Sequence, residues 1–77
     1  MEKGKTMYAN YARIRDEQGK TDYQVAKLTG FTTAFFSNWK NRGWQPRGDK
    51  IMVIAEKLNH PMSDFYEGVE NGKPDNS

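Results

Sequence analysis

Residues 21–43, TDYQVAKLTGFTTAFFSNWKNRG, decide the fold that the sequence predicts. Thr21 and Gln24 have the spacing of a capping box, in which the threonine hydroxyl accepts a hydrogen bond from a free amide of the first helical turn and the glutamine side chain reaches back. Gly30 supplies the backbone freedom that ends a helix cleanly. A short helix is therefore predicted to start at the capping box and to end at Gly30.

A second helix follows after a turn of one residue. Thr32 is a suitable N-cap for it. Phe36 and Trp39 are three residues apart, so they form an apolar seam that can lie against the preceding helix. Two short helices joined by a turn that contains glycine make a helix-turn-helix, which is the motif that this stretch predicts.

The flanking sequence predicts three more helices. Helical spacing of Met7, Tyr8, Tyr11 and Ile14 predicts a first helix from residue 7 to about residue 18, with Gly19 as its stop. Arg13 and Arg15 lie off this apolar stripe, and we expect both to be solvated; a contact of either one with DNA is the alternative.

The longest apolar stripe predicts a fourth helix that starts at Gly48 or Asp49 and runs to about Leu58. Its buried face consists of Ile51, Ile54, Ala55 and Leu58. Asn59 is a natural C-terminal residue for it, and Pro61 suits the first turn of a short fifth helix. The fifth helix would carry Met62, Phe65 and Tyr66.

These elements predict one domain with two polar ends. Residues 1–6 are expected to form a flexible N-terminal arm, residues 7–67 the helix-turn-helix domain, and residues 68–77 a disordered tail. The resulting fold class is all-α, a compact bundle of five short helices.

Composition limits the class of protein. Only 35% of the 77 residues are hydrophobic, and no apolar run approaches the roughly 20 residues of a membrane span. Residues 1–20 also lack the apolar segment of a signal peptide. We therefore expect a soluble, cytoplasmic protein with no membrane partner. The absence of cysteine excludes disulfides and thiolate chemistry.

Charge is distributed unevenly, although the formal net charge is only +2. Between residues 38 and 50, four cationic residues stand against one carboxylate. Between residues 60 and 77, four carboxylates stand against one lysine. A basic end and an acidic end favour docking of one face on a polyanion.

A longer pattern runs through roughly residues 8–68. It comprises Val-Ala-Lys-x-Thr-Gly-Phe-Thr at 25–32, then Phe36, Ser37, Trp39, Lys40 and Asn41, and later Pro46, Asp49, Lys50, Ile54 and Ala55. This pattern resembles that of phage-repressor and Cro-like helix-turn-helix domains. The resemblance implies a lambda-repressor-like fold and sequence-specific binding of double-stranded DNA.

Helical geometry assigns two faces to the second helix of the motif, because each residue advances by about 100°. Phe36 and Trp39 face inward. The opposite side carries Thr33, Ala34, Ser37, Asn38 and Asn41, which are small or polar and uncharged. Such a surface suits the major groove, where asparagine can pair with the adenine edge and alanine can pack against a thymine methyl group. An ordinary solvated polar face is the alternative.

The resemblance also implies a role for each residue of this surface. Base contacts are expected from Thr33, Ala34, Ser37 and Asn38, and contacts to the DNA backbone or minor groove from Lys40, Asn41, Arg42, Arg47 and Lys50. Backbone contacts fix the position of a protein on DNA without reading its sequence. Arg47 follows Pro46 and would enter the minor groove, as in some similar repressors; a surface arginine in a mobile loop is the alternative.

Three positions depart from the family pattern. Asp22 replaces a common amide residue and would repel phosphate, so we expect that phosphate contact to be lost or the side chain to turn away. Gly43 comes one residue late, so the recognition helix is expected to run one residue further. Phe35 replaces a small polar residue and is expected to pack beside Trp39, and Trp44 is expected to cover the core under the following loop.

Catalysis has little support in the sequence. There is one histidine, His60, which is expected to be structural, and there is no phosphate loop, metal-ligand cluster or nucleophile constellation. We expect no enzymatic activity, no cofactor, no bound metal and no small-molecule substrate.

The predicted function is that of a transcriptional regulator, a phage or prophage repressor or Cro-like protein that acts by occupying its operator. A homodimer on DNA, formed through the fifth helix around Phe65 and Tyr66, is a further hypothesis. The alternative function is a protein-interaction module, antitoxin-like or anti-repressor, on the same fold. An exposed apolar residue such as Leu28 would favour that alternative.

Overall fold

Five helices make up the part of the chain that the computed structural model describes, which is residues 3–69, with side chains from residue 5 onward. They are α1 (Lys3–Glu17), α2 (Asp22–Thr29), α3 (Thr33–Arg42), α4 (Gly48–Leu58) and α5 (Ser63–Tyr66). No strand occurs within the described range. The predicted all-α fold of five helices is therefore confirmed.

The start and end of α2 are set by local hydrogen bonds. Gln24 donates its backbone N–H to the Thr21 hydroxyl over 3.2 Å, and Thr21 donates its own N–H to the Gln24 side-chain oxygen over 2.9 Å. Gly30 adopts the left-handed conformation at φ 82° and donates its N–H to the Ala26 carbonyl. Both the capping box and the glycine stop are therefore present as predicted.

Helix α3 is bounded in the same way. The Thr32 hydroxyl accepts the Phe35 N–H over 3.1 Å. Gly43, at φ 73°, donates its N–H to the Trp39 carbonyl. Because the left-handed residue comes only at Gly43, the helix includes Arg42, which confirms the expected extra residue.

Helix α1 begins earlier than predicted, at Lys3 rather than Met7. Residues 3–6 of the predicted arm are thus helical, while residues 1 and 2 lie outside the described residues. Met7 and Tyr11 are fully buried and fix the helix from which this turn extends. Adding a turn to an existing helix costs much less than starting one, so weak local signals suffice.

The predicted tail also needs correction at its start. Gly68 turns the chain at φ 74°, and Val69 donates its N–H to the Tyr66 carbonyl over 3.0 Å. This turn leaves Val69 only 7% exposed, as part of the core. Residues 70–77 lie outside the described residues.

Helix α4 has the buried stripe that the sequence predicts, whereas α5 is shorter than predicted. The buried residues of α4 are Ile51, Ile54, Ala55 and Leu58. Asn59 ends the helix in the left-handed conformation at φ 59°. Helix α5 has only four residues and starts at Ser63, not in the turn at Pro61.

Aromatic rings of α1 and α3 form the centre of the core. The Tyr11 ring stacks on Phe36 and on Trp39 at centroid distances of 5.3 and 5.1 Å. Asn10 holds the end of the domain against α1, because its side-chain amide donates to the carbonyls of Phe65 and Glu67 over 3.0 and 2.7 Å. Helix α1 thus joins the α3 side of the core to α5.

The α4 stripe provides a test of this core. Ile54→Ala should lower the free energy of unfolding by about 2–5 kcal/mol, because a fully buried side chain is lost and a cavity remains. Met52→Ala on the same helix removes a side chain that is 53% exposed and should cost less than about 0.5 kcal/mol. Urea unfolding followed by circular dichroism measures both. Should Ile54→Ala fail to fold, Ile54→Val is expected to cost about 1 kcal/mol; equal losses for the Ile54 and Met52 variants would contradict the assignment.

Candidate nucleic-acid interface

Helix α3 has one buried face and one exposed face. Phe36 and Trp39 are fully buried. The exposed residues on the other side are Thr33, Ala34, Ser37, Asn38 and Asn41. The predicted separation of the two faces is confirmed, while what the exposed face contacts stays a prediction.

The exposed face of α3 has the chemistry of a surface that can enter a DNA groove. It offers hydroxyl groups, carboxamides and a methyl group, and the helix contains no carboxylate. Donors and acceptors of this kind match the base edges of the major groove. A helix about 10–12 Å in diameter fits a groove about 12 Å wide.

Cationic side chains accompany this face. Lys40 and Arg42 are exposed in the last turn of α3. The Arg47 side chain is 87% exposed, and its Nε lies 3.7 Å from an Asp49 carboxylate oxygen. Because exposed ion pairs contribute little energy, Arg47 is free to contact another anion. Lys50 places its Nζ 4.9 Å from the centre of the Phe31 ring.

Asp22 turns away from solvent and towards α1, as expected for a carboxylate that would repel phosphate. It accepts hydrogen bonds from the hydroxyls of Tyr11 (2.6 Å) and Tyr8 (2.8 Å), and from Arg15 over 2.7 Å. The prediction that Arg15 is solvated is wrong, because its side chain is only 17% exposed and also pairs with Asp16. Arg13 is half exposed, as expected.

The protonation states of this cluster follow from its contacts. Burial favours the neutral Asp22 carboxyl, but hydrogen bonds from Tyr11, Arg15 and Tyr8 outweigh that effect and hold its pKa below the ordinary value of 3.8. Burial, and then the hydrogen bond to Asp22, raises the pKa of the Tyr11 hydroxyl. At neutral pH the cluster therefore holds a carboxylate, a guanidinium and two intact hydroxyls.

A second aromatic group fixes the loop after α3. The Phe35 ring lies 5.4 Å from the Trp44 ring and 5.0 Å from the Phe31 ring, measured between centroids. All three side chains are half-buried against the core. The expected packing of Phe35 and Trp44 is confirmed. Because Trp44 and the buried Pro46 precede Arg47, this packing holds the backbone that leads to Arg47, while the Arg47 side chain stays exposed.

The sequence did not predict that Tyr8, Tyr11 and Arg15 support the start of α2, or that Lys50 lies over Phe31. A signal for the first group exists in the sequence. Residues 8, 11 and 15 are three and four apart, so they share one face of a helix, and Asp22 follows at the start of the next helix.

The hypothesis of a dimer surface around Phe65 needs correction. Phe65 is fully buried within its own chain, where Asn10 holds its carbonyl. A side chain without exposed area cannot form a dimer contact unless α5 detaches. Tyr66, which is half-buried, is the part of that surface still available.

His60 lies in a local contact near α5. Its Nδ1 is 2.8 Å from an Asp64 carboxylate oxygen. Within residues 3–69, no cluster of three or more histidine, cysteine or acidic residues could hold a metal ion. In the same range, no helix has both the length and the apolar character that crossing a membrane requires.

Comparison of the chain with protein-family models, curated proteins and solved structures gives no match.

The Asp22 cluster predicts a pH-dependent contribution to stability. Asp22→Asn should lower the free energy of unfolding at pH 7 by about 1–3 kcal/mol, because buried donors lose their charged acceptor. The folded-state pKa is lowered, so this contribution is complete above the ordinary pKa of 3.8 and is lost as the pH falls through the lowered value. The difference between the two proteins should therefore shrink below about pH 4.

Urea unfolding at several pH values measures this difference. Asp16→Asn is the matched control, since it removes the same charge from a side chain that is 66% exposed, and it should change stability by less than about 0.5 kcal/mol. A difference between wild type and Asp22→Asn that is constant from pH 7 down to pH 2 would contradict the assignment.

Proposed function

We propose that this protein is a sequence-specific DNA-binding regulator of transcription that inserts α3 into the major groove. The observation that carries the proposal is the exposed face of α3, which has small and uncharged polar residues, no carboxylate in the helix, and exposed cations from residue 40 to residue 50. A face without carboxylates does not repel phosphate, and the cations beside it attract phosphate.

In this proposal α2 and α3 act together as a helix-turn-helix. The two helices are joined by residues 30–32, and the small, buried Ala26 of α2 suits a close approach of helices. Helix α2 is tied to α1 through Asp22, and α3 is tied to α1 through the aromatic stack on Tyr11. Both attachments would hold the recognition helix at a fixed angle.

Each exposed residue of α3 then has a distinct role. Asn38 would pair with the N6 and N7 edge of adenine, and Ala34 would pack against a thymine methyl group. Thr33 and Ser37 supply hydroxyls that can donate to or accept from base edges. Base contacts of this kind provide the sequence preference.

The surrounding cations would fix the domain on the DNA backbone. Lys40, Arg42 and Lys50 neutralise phosphates, and Asn41 donates to one. Arg47, which is highly exposed at the start of α4, would reach the minor groove. The loop packing by Trp44 supports this role, because it limits the positions that the backbone before Arg47 can take.

Occupancy of an operator would be the mechanism, as in a phage or prophage repressor or a Cro-like regulator. The protein would exclude polymerase by covering its site, and no chemical step is needed. One domain reads a single half-site, so a homodimer on DNA would read two half-sites about 34 Å apart.

Selection of bound duplexes from a random pool tests sequence-specific binding. We expect enrichment of one motif, and Asn38→Ala should weaken binding to the enriched site by about 1–3 kcal/mol while relaxing the preference at one base pair. Met52→Ala, which removes a side chain that is 53% exposed on α4, is the control and should leave binding unchanged. Absence of any enriched motif, together with unchanged binding by Asn38→Ala, would refute the proposal.

The salt dependence of binding tests the backbone contacts. With three phosphates neutralised by Lys40, Arg42 and Lys50, the logarithm of the binding constant should fall with the logarithm of salt concentration at a slope of about −2.7 for one domain. Lys40→Ala should reduce the size of the slope by about 0.9, because one phosphate contact is lost. Lys57→Ala removes an exposed lysine from α4 and should leave the slope unchanged. A flat profile would favour the protein-interaction module instead.

A further inference from the structure

Lys50 holds its ammonium group over an aromatic ring instead of beside a carboxylate. Its Nζ lies 4.9 Å from the centre of the Phe31 ring. Among the residues whose side chains the structure describes, Lys50 has no ion pair, and the neighbouring Asp49 carboxylate lies 3.7 Å from Arg47 instead. The face of an aromatic ring attracts a cation but carries no net charge. The contact therefore holds the ammonium group and leaves its charge available to an anion.

The Phe31 ring has a fixed position in the turn between α2 and α3. The Phe31 N–H donates to the Thr29 hydroxyl oxygen over 3.2 Å, and that hydroxyl donates to the Val25 carbonyl over 2.9 Å. The ring packs against Phe35 and Phe36 at centroid distances of 5.0 and 6.5 Å. Because both its backbone and its ring are held, Phe31 can support a side chain that is itself flexible.

The contact places a cation close to the first turn of α3. Phe31 directly precedes the N-cap residue Thr32, and α3 begins at Thr33. Lys50 approaches this turn from the first turn of α4. In a helix-turn-helix protein the N-terminal residues of the recognition helix contact the base edges. With α3 in the major groove, a cation beside its first turn would therefore lie near the phosphates at the edge of that groove.

A lysine that is already held loses less freedom when it binds a phosphate. Its long, flexible stem carries a large rotamer entropy, part of which is lost in any fixed contact. Contact with the Phe31 ring removes some of this freedom before DNA binds. The ammonium group has three N–H donors and the ring lies on one side of it, so donors remain for a phosphate oxygen.

We propose that Phe31 is a positioning residue, which holds the Lys50 ammonium group beside the first turn of α3 for contact with a phosphate of the DNA backbone. This inference rests on the proposed function. It assigns to Phe31 an effect on DNA affinity that passes through Lys50 and requires no contact of the ring with DNA. The effect should be equal for all duplex sequences, since a phosphate contact does not read the bases.

Nuclear magnetic resonance of the free protein tests the ring contact. The ε-methylene protons of Lys50 should show nuclear Overhauser effects to the Phe31 ring and should resonate upfield of those of Lys57, an exposed lysine in the last turn of the same helix. Phe31→Leu, which keeps an apolar side chain in the turn, should remove the upfield shift. Absence of both signals in the wild-type protein would overturn the proposal, and that measurement needs no variant to fold.

A double-mutant cycle tests the link to DNA binding. Phe31→Leu should weaken duplex binding by about two- to fivefold, which is the size of a cation–π contact at an exposed site. In a Lys50→Ala background the same change should have no effect, because no ammonium group is left to position. In a Lys40→Ala background, the matched control, it should keep its full effect. Phe31→Met replaces Phe31→Leu should the latter fail to fold, since methionine adapts to irregular packing. Titration of a fluorescent duplex measures these affinities.

Two results of the cycle would overturn the proposal. Equal losses with and without Lys50 would mean that Phe31 contacts DNA itself or only shapes the turn. Unchanged affinity of Phe31→Leu would mean that the ring contact has no effect on binding. Failure of DNA recognition is a separate outcome. A wild-type protein that binds no duplex would refute the proposed function and with it the role of Phe31, while the Lys50 signals would still show whether the ring contact exists.

Discussion

Tyr11 makes the contacts on which the positions of the first three helices depend. Its ring stacks on Phe36 and Trp39 of α3, and its hydroxyl donates a 2.6 Å hydrogen bond to Asp22 at the start of α2. One side chain of α1 therefore contacts both other helices, through its apolar body and its polar end. Arg15 completes the arrangement by neutralising Asp22, which would otherwise be a partly buried, unpaired carboxylate.

The parts of the fold that the sequence predicted are those set by local interactions. Capping at Thr21 and the stops at Gly30 and Gly43 involve residues three or four apart, so their geometry follows from the sequence alone. The two faces of α3 follow from helical periodicity for the same reason, and Phe36 shows this by being fully buried. All of the predicted surface residues on α3 are exposed for the same geometric reason.

The features that sequence reasoning missed depend on contacts between distant segments. Arg15 shares a helix face with Tyr8 and Tyr11, but only the approach of α2 supplies the carboxylate that makes its burial favourable. Val69 looks like part of a polar tail until Asn10, more than fifty residues earlier, holds the carbonyl of Glu67. The Phe65 side chain is likewise buried in a core that residues from distant parts of the chain build. Local patterns cannot report which segments a folded chain brings together.

The division of aromatic and polar residues on α3 also explains how so small a domain can leave a whole helix face exposed. A short chain has few residues with which to build a core. A helix that leaves one face exposed must therefore bury large side chains on its other face. Phe36 and Trp39 are among the largest fully buried side chains of the described residues, and Phe35 adds a half-buried ring beside them. Large rings on one side therefore leave Asn38 and its neighbours unconstrained by packing. Small polar residues there contribute little to the core, so the proposed contact with DNA would not compete with the stability of the domain.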